Sequence, residues 1–199
     1  VQHSSSGGKS AGAAASRHAR PSTKGMLYTP EQRRRRDASP WTPVQGFLAA
    51  FQFLVFLVSL GLVLYFLATG EGWLAATISI VFKTLILYTI MVTGAIWEKE
   101  VFGQYLFAPT FFWEDVVSFI VISLHTAYMA VLIFDLAGPG VQMAITLAAY
   151  ATYAVNAAQF LLKLRAARLQ SEAMEAAAVS SAAAADGASA APLTERAAG

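Results

Sequence analysis

The stretch Trp97-Glu98-Lys99-Glu100-Val101-Phe102-Gly103-Gln104-Tyr105-Leu106-Phe107-Ala108-Pro109-Thr110-Phe111-Phe112-Trp113-Glu114-Asp115 has acids and tryptophans at both ends and aromatics between them. Carboxylates beside large flat apolar side chains suit proton chemistry on a large, flat, apolar substrate. A carboxyl desolvated among rings keeps its proton near neutral pH, and two neighbouring carboxyls divide acid from base duty. The candidates are Glu114, Glu98 and Asp115, with Tyr105, Phe111, Phe112 and Trp113 as a flat wall. Glu114 and His125 are eleven residues apart, about three helical turns, and so share a face that Ser118 joins. Asp115 points about 100° away, and is expected to cap the helix start or face water.

These residues sit between long apolar runs. A helix needs about 20 apolar residues to cross roughly 30 Å of hydrocarbon, and four segments qualify: Gly46 to Ala68, Trp73 to Trp97, Phe111 to Phe134 and Val141 to Leu162. Two Gly-rich turns, Thr69 to Gly72 and Asp135 to Gly140, join the first span to the second and the third to the fourth. Strands are excluded because the runs are too long, do not alternate, and could not satisfy an open sheet edge in lipid. Basic residues crowd before the first span (Arg33 to Arg36), enter the hinge (Lys99) and follow the fourth span (Lys163, Arg165, Arg168), whereas the Gly-rich turns contain none. The positive-inside rule then places both termini and the hinge in the cytoplasm.

Ionisable side chains inside a span cost about 2.5–3.5 kcal/mol each on insertion scales and so call for a role. Lys83 and His125 lie near the middle of the second and third spans, at similar depth in an antiparallel pair. Lys83 either bends its stem toward an interface or carbonyl, or donates to a substrate carbonyl or carboxylate. His125 is either a packing residue or an axial ligand for a chelated metal. On the fourth span Asn156 and Gln159 offer neutral hydrogen bonds at the depth of Glu98 and Glu114, and Gln52 of the first span reaches a similar level. Ala144, Ala148, Thr152 and Asn156 form a small-residue stripe suited to close helix packing.

Hydrophobic residues make up 56% of the 199 and charged residues 13%, which places the chain among membrane proteins and excludes a soluble enzyme. With no cysteine, disulfides, thiolate metal sites, iron–sulfur clusters and cysteine nucleophiles are ruled out. The expected fold is an all-α integral membrane protein with four transmembrane helices and disordered N- and C-terminal tails. Residues 1–25 read as a disordered extension or tag, with Met26 as a natural start. Residues 26–170 form the four-helix domain. Residues 171–199 form an Ala-rich flexible tail that prolongs the last helix for a few turns and frays at Asp186-Gly187.

The run Leu85 to Gly103, Tyr105 to Pro109 and Phe111 to Asp115 resembles the vinyl hydratases of bacteriochlorophyll synthesis. The likeness extends upstream to Leu27-Tyr28-Thr29-Pro30-Glu31-Gln32-Arg33-Arg34-Arg35-Arg36 and Trp41-Thr42. Downstream it takes in Leu124 to Tyr128, Ala148 to Tyr153 and Asn156 to Arg168. It implies a membrane lyase that adds water to the C3 vinyl group of chlorophyllide a or 3-vinyl bacteriochlorophyllide a, giving a 1-hydroxyethyl group, with no cofactor and no metal of its own. The implied partners are that substrate, the bilayer, and other enzymes of the pathway or a second copy, but no nucleic acid. The implied location is the inner membrane, cytoplasmic or intracytoplasmic, with the active site toward the cytoplasm. On this reading Glu114 protonates the vinyl terminus and Glu98 or Asp115 activates water. His125 faces the pigment's magnesium, and Lys83 or the basic rim pairs with its propionate. A carrier or assembly subunit would use the same aromatics and histidine without chemistry. A transporter would need a polar path through the outer halves of these helices, which are apolar apart from Lys83.

Overall fold

The computed structural model describes residues 27–189, with side chains to 184. The proposed extension at 1–25 and the last ten residues of the tail lie outside that range. Five helices follow in order: α1 (Pro30–Ala38), α2 (Trp41–Thr69), α3 (Trp73–Phe102), α4 (Phe112–Ile133) and α5 (Pro139–Ser189). No strand occurs among the described residues. Four of the helices, α2 to α5, are long and apolar enough to cross a membrane.

The short α1 has no apolar run to announce it and is set by its ends. Thr29 and Gln32 form a reciprocal capping box, Pro30 opens the first turn, Glu31 sits in that turn, and Arg35 and Arg36 sit in the last. Helix α2 stops at Gly70 (φ 76°) and α3 stops at Gly103 (φ 87°), whose N–H bonds the Lys99 carbonyl at 3.0 Å. A left-handed residue ends a helix without loss only where no Cβ opposes it. The 51 residues of α5 make a rod of about 75 Å. The Ala-rich segment prolongs that rod through residue 189, past the expected fraying point at Asp186-Gly187, because alanine has the highest helix propensity and no proline interrupts the run.

The two Gly-rich turns lie at one end of the antiparallel bundle. The hinge, α1 and the Lys163 region of α5 lie at the other, tied by bonds from Trp97 Nε1 to Thr42 Oγ1 (3.0 Å) and from the Leu27 N–H to Gln170 Oε1 (3.0 Å). All the basic residues used for orientation therefore collect at this second end.

The bundle is apolar outside and polar within. Phe47, Leu54, Val58, Leu74 and Leu162 face outward, while Ser59, Lys83, Thr84, His125 and Thr146 are buried beside Phe56, Val63, Ile80 and Tyr128. Lipid gives apolar side chains no reason to hide, so polar groups occupy the interior, where helices can satisfy them. One expectation is overturned here. Ala144 and Ala148 face outward, and α5 packs through Met143, Thr146, Ala149, Tyr150, Tyr153 and Asn156, because the aromatic rings and the polar groups compete better for the interior than a smooth alanine strip.

A second cluster plugs the basic end. Tyr28, Val101, Phe111 and Ala167 pack with Leu27, Trp97 and Phe102. Phe111 is its centre, with ring centroids 5.7 Å from both Trp97 and Phe102 and 6.0 Å from Phe160.

Candidate active site

Directly beside this plug lie three buried carboxyls. Glu98 comes from the last turns of α3, and Glu114 and Asp115 from the first turn of α4; their residues are 5%, 7% and 4% exposed. Glu98 and Asp115 are neighbouring buried carboxyls. Two buried carboxyls side by side hold one proton between them rather than carry two negative charges. Each acid also accepts a backbone N–H from the hinge: Asp115 Oδ2 from Phe107 at 2.7 Å, and Glu98 Oε2 from Ala108 at 3.4 Å. The expectation that Asp115 caps α4 or faces water is thus overturned. The hinge folds back over the helix start and offers its own N–H groups to the acid.

Glu114 occupies the buried face of α4 with Ser118, Val121, His125 and Tyr128, as its helical phase requires. Its partner comes from α5. Lys163 Nζ donates to Glu114 Oε2 at 2.7 Å and also to the Thr110 carbonyl. The site therefore holds two kinds of carboxyl within one helical turn: a proton-sharing pair and an ion-paired carboxylate. That is the equipment for delivering one proton and accepting another.

The aromatics do not form a single wall. Phe111 turns inward to the plug. Phe112 and Trp113 turn outward, 43% and 68% exposed, and Tyr105 lies on the surface under Lys99, whose ammonium is 5.2 Å from the ring centroid. Phe107 joins the outward group, stacked on Phe119 at 5.3 Å and 5.7 Å from Phe112. Its backbone is left-handed (φ 59°), which a bulky side chain adopts only under constraint from its surroundings. That conformation aims the Phe107 N–H inward at Asp115 while its ring lies outside among aromatics. The Leu106-Phe107 and Phe107-Ala108 peptides thus give their N–H groups to the acid pair while the Phe107 ring sits on an exposed aromatic face.

Lys83 and His125 meet, as their matched depth requires, with Lys83 Nζ 3.1 Å from His125 Nε2. His125 Nδ1 lies 2.8 Å from the Val121 carbonyl, which can only accept, so Nδ1 carries the proton and Nε2 accepts from Lys83. Both ring nitrogens are engaged and the residue is 1% exposed. Axial ligation by His125 would first require Lys83 to leave. The Lys83 ammonium lies 4.1 Å from the Tyr153 ring centroid and 5.1 Å from that of Tyr150, so aromatic faces take the place of a counter-ion. Lys83 therefore points inward to an imidazole rather than outward to an interface.

Asn156 Nδ2 donates to Ser118 Oγ at 2.9 Å, one turn below Glu114, while Gln159 has a buried carbonyl oxygen without a protein partner. The candidate residues thus fall into two groups. The acids, Asn156, Gln159, Lys83 and His125 lie inside the bundle, whereas Tyr105, Phe112 and Trp113 lie on its outer face. The part played by Lys163 and by the Phe107 and Ala108 N–H groups escapes a sequence reading. Lys163 looks like one more basic residue at a span end, and its only signal is spacing: Asn156, Gln159 and Lys163 recur at helical intervals on one face of α5.

Comparison with known proteins follows the same residues. The family model of 2-vinyl bacteriochlorophyllide hydratase matches residues 28–166. A 2-vinyl bacteriochlorophyllide hydratase of Cereibacter sphaeroides is 70% identical over 149 residues, covering 75% of this chain and 92% of the relative. A protein of the same name from Rhodobacter capsulatus is 67% identical over 156 residues, covering 78% of this chain and 90% of that relative. No solved structure gives a significant match. The matched stretch contains the three carboxyls, the hinge, Lys83, His125 and Lys163, and the chain belongs to the 2-vinyl bacteriochlorophyllide hydratase family of hydro-lyases.

Proposed function

We propose that this chain adds water to the ring vinyl group of chlorophyllide a or 3-vinyl bacteriochlorophyllide a, giving the 3-(1-hydroxyethyl) product. The reaction takes place at the basic end of the bundle, which faces the cytoplasm of the inner or intracytoplasmic membrane. The observation that carries this reading is that the hinge backbone at Phe107 and Ala108 bonds the buried acids while the Phe107 ring lies among exposed aromatics.

A flat macrocycle arriving from the lipid stacks on Phe107, Phe112, Trp113 and Tyr105, with its propionate toward the basic rim. Movement of the Phe107-Ala108 peptide admits the vinyl group to the acids. The proton held between Glu98 and Asp115 goes to the terminal carbon. Positive charge develops on the inner carbon and spreads into the ring, and a water oxygen bonds there. The second proton of that water goes to Glu114, which Lys163 pairs with and aims, and then returns to the Glu98–Asp115 pair. These roles differ from those that helical phase suggests, because Glu114 is held in an ion pair by Lys163 while Glu98 and Asp115 stand together as a carboxyl pair, an arrangement that divides acceptor from donor. His125 and Lys83 form a self-satisfied pair deeper in the bundle, and the magnesium of the pigment is not assigned to them.

The test is expression in a heterologous membrane with added chlorophyllide a, followed by chromatography. The expected result is a time-dependent shift of the red absorption band and a new hydroxyethyl pigment. A band that shifts on mixing and then stays constant, with no new pigment, would instead indicate a carrier.

A further inference from the structure

Two cross-helix contacts set the register of α2 against α5. Ser59 Oγ lies 2.5 Å from the Tyr150 hydroxyl, and the Phe56 and Tyr153 rings are 4.8 Å apart. Gln52 is four residues before Phe56, and Asn156 is three after Tyr153. Each step is about 5–6 Å along a helix toward the basic end, so the two amides lie at one level. The Asn156 bond to Ser118 brings α4 to that same level, and Ser118 is one turn from Glu114 and Asp115. Gln159, one turn further along α5, stands level with the acids.

Gln52 and Asn156 are buried, Gln159 is half-buried with its carbonyl oxygen covered, and all three are poorly satisfied by protein. Gln52 is 2% exposed with neither amide atom bonded, and Asn156 Oδ1 and Gln159 Oε1 also lack protein partners. An unpaired buried amide costs about 1–3 kcal/mol, and a membrane bundle had leucine available for every one of these positions. The unspent valences are three carbonyl oxygens and one amide NH2. Their complement is a small neutral group that both donates and accepts, which is water: one molecule serves two of the oxygens and the NH2, and a second serves the third oxygen.

We infer that Gln52, Asn156 and Gln159 form a cage that holds the water consumed in hydration, on the bundle side of the acid cluster. This rests on the reading proposed above and gives Gln52 a role beside Asn156 and Gln159. Water then waits inside the bundle while the pigment approaches from the aromatic face, and the two meet at the carboxyls. The caged water gives its oxygen to the inner vinyl carbon and a proton to Glu114, and the Glu98–Asp115 pair supplies the proton that the terminal carbon gains.

The test compares full-length wild type with Gln52→Leu and Gln52→Met in membranes, reading kcat, KM for the pigment and the melting temperature in detergent. A water cage predicts about a tenfold loss of kcat, the worth of one hydrogen bond to a reacting atom. KM should stay unchanged, since the pigment does not touch Gln52, and the melting temperature should fall, since Asn156 and Gln159 lose their shared water. If the amides hold nothing, removing two unsatisfied atoms raises the melting temperature and leaves kcat unchanged. Either of those results in the better-folded variant overturns the cage. Failure of the wild type to form product would count against the hydration reading alone, because the direction of the melting shift still reports whether the cage is filled.

Discussion

Replacing Lys163 by methionine removes the ammonium while keeping most of the apolar stem. The structure assigns that ammonium two acceptors, Glu114 Oε2 at 2.7 Å and the Thr110 carbonyl, and both partners of the ion pair are largely buried, with side chains 21% and 9% exposed. Exposed pairs contribute little, about 0–1 kcal/mol. Removing one member of a buried pair costs about 3–5 kcal/mol, because a charge is left stranded. The partial exposure of Lys163 places this pair near the lower end of that range, about 3 kcal/mol. For a chain of this size that corresponds to a fall of about 6–12 °C in melting temperature. Thermal unfolding of detergent-purified protein would measure it. The double variant Lys163→Met with Glu114→Gln should regain most of the stability, because the stranded carboxylate is gone, yet remain inactive because the proton acceptor is gone too. A shift below 2 °C for Lys163→Met, or no recovery in the double variant, would refute the argument that this pair is desolvated and coupled.

Glu114→Gln and Asp115→Asn should each lower hydratase turnover by about 100-fold or more while membrane fractionation shows unchanged insertion. Normal turnover in either would remove that acid from the reaction. His125→Ala should leave a pigment absorption titration unchanged and lower thermal stability, because Nε2 serves Lys83; a weakened titration would put the imidazole at the pigment's magnesium instead. Gly103→Ala places a side chain at φ 87° with nothing within 4 Å of its Cβ, so the cost is conformational alone, about 1–2 kcal/mol. An unchanged melting temperature would show that the hinge does not depend on that left-handed turn.

The spans, the basic end and the buried face of α4 were legible in the sequence because they follow from quantities local to the chain: apolar length, charge position and the 3.6-residue period. Those quantities also matched the depths of Lys83 and His125. They did not anticipate α1, whose composition is polar and whose signal is a capping box, nor the packed face of α5, where alanines invite a contact that Tyr150, Tyr153 and Thr146 win.

At the site, helical phase set Glu114 and His125 on one face of α4, where both are buried, but Asp115, about 100° round the helix, is buried as well. Phase, however, describes direction about a helix's own axis. It says nothing of what stands opposite. Only the tertiary structure decided that the hinge folds back to give its N–H groups to Asp115 and Glu98, that Lys163 of α5 reaches Glu114, and that neighbours Phe111 and Phe112 part to opposite sides of the bundle wall. Each of these depends on a partner distant in sequence, and only folding brings such partners together.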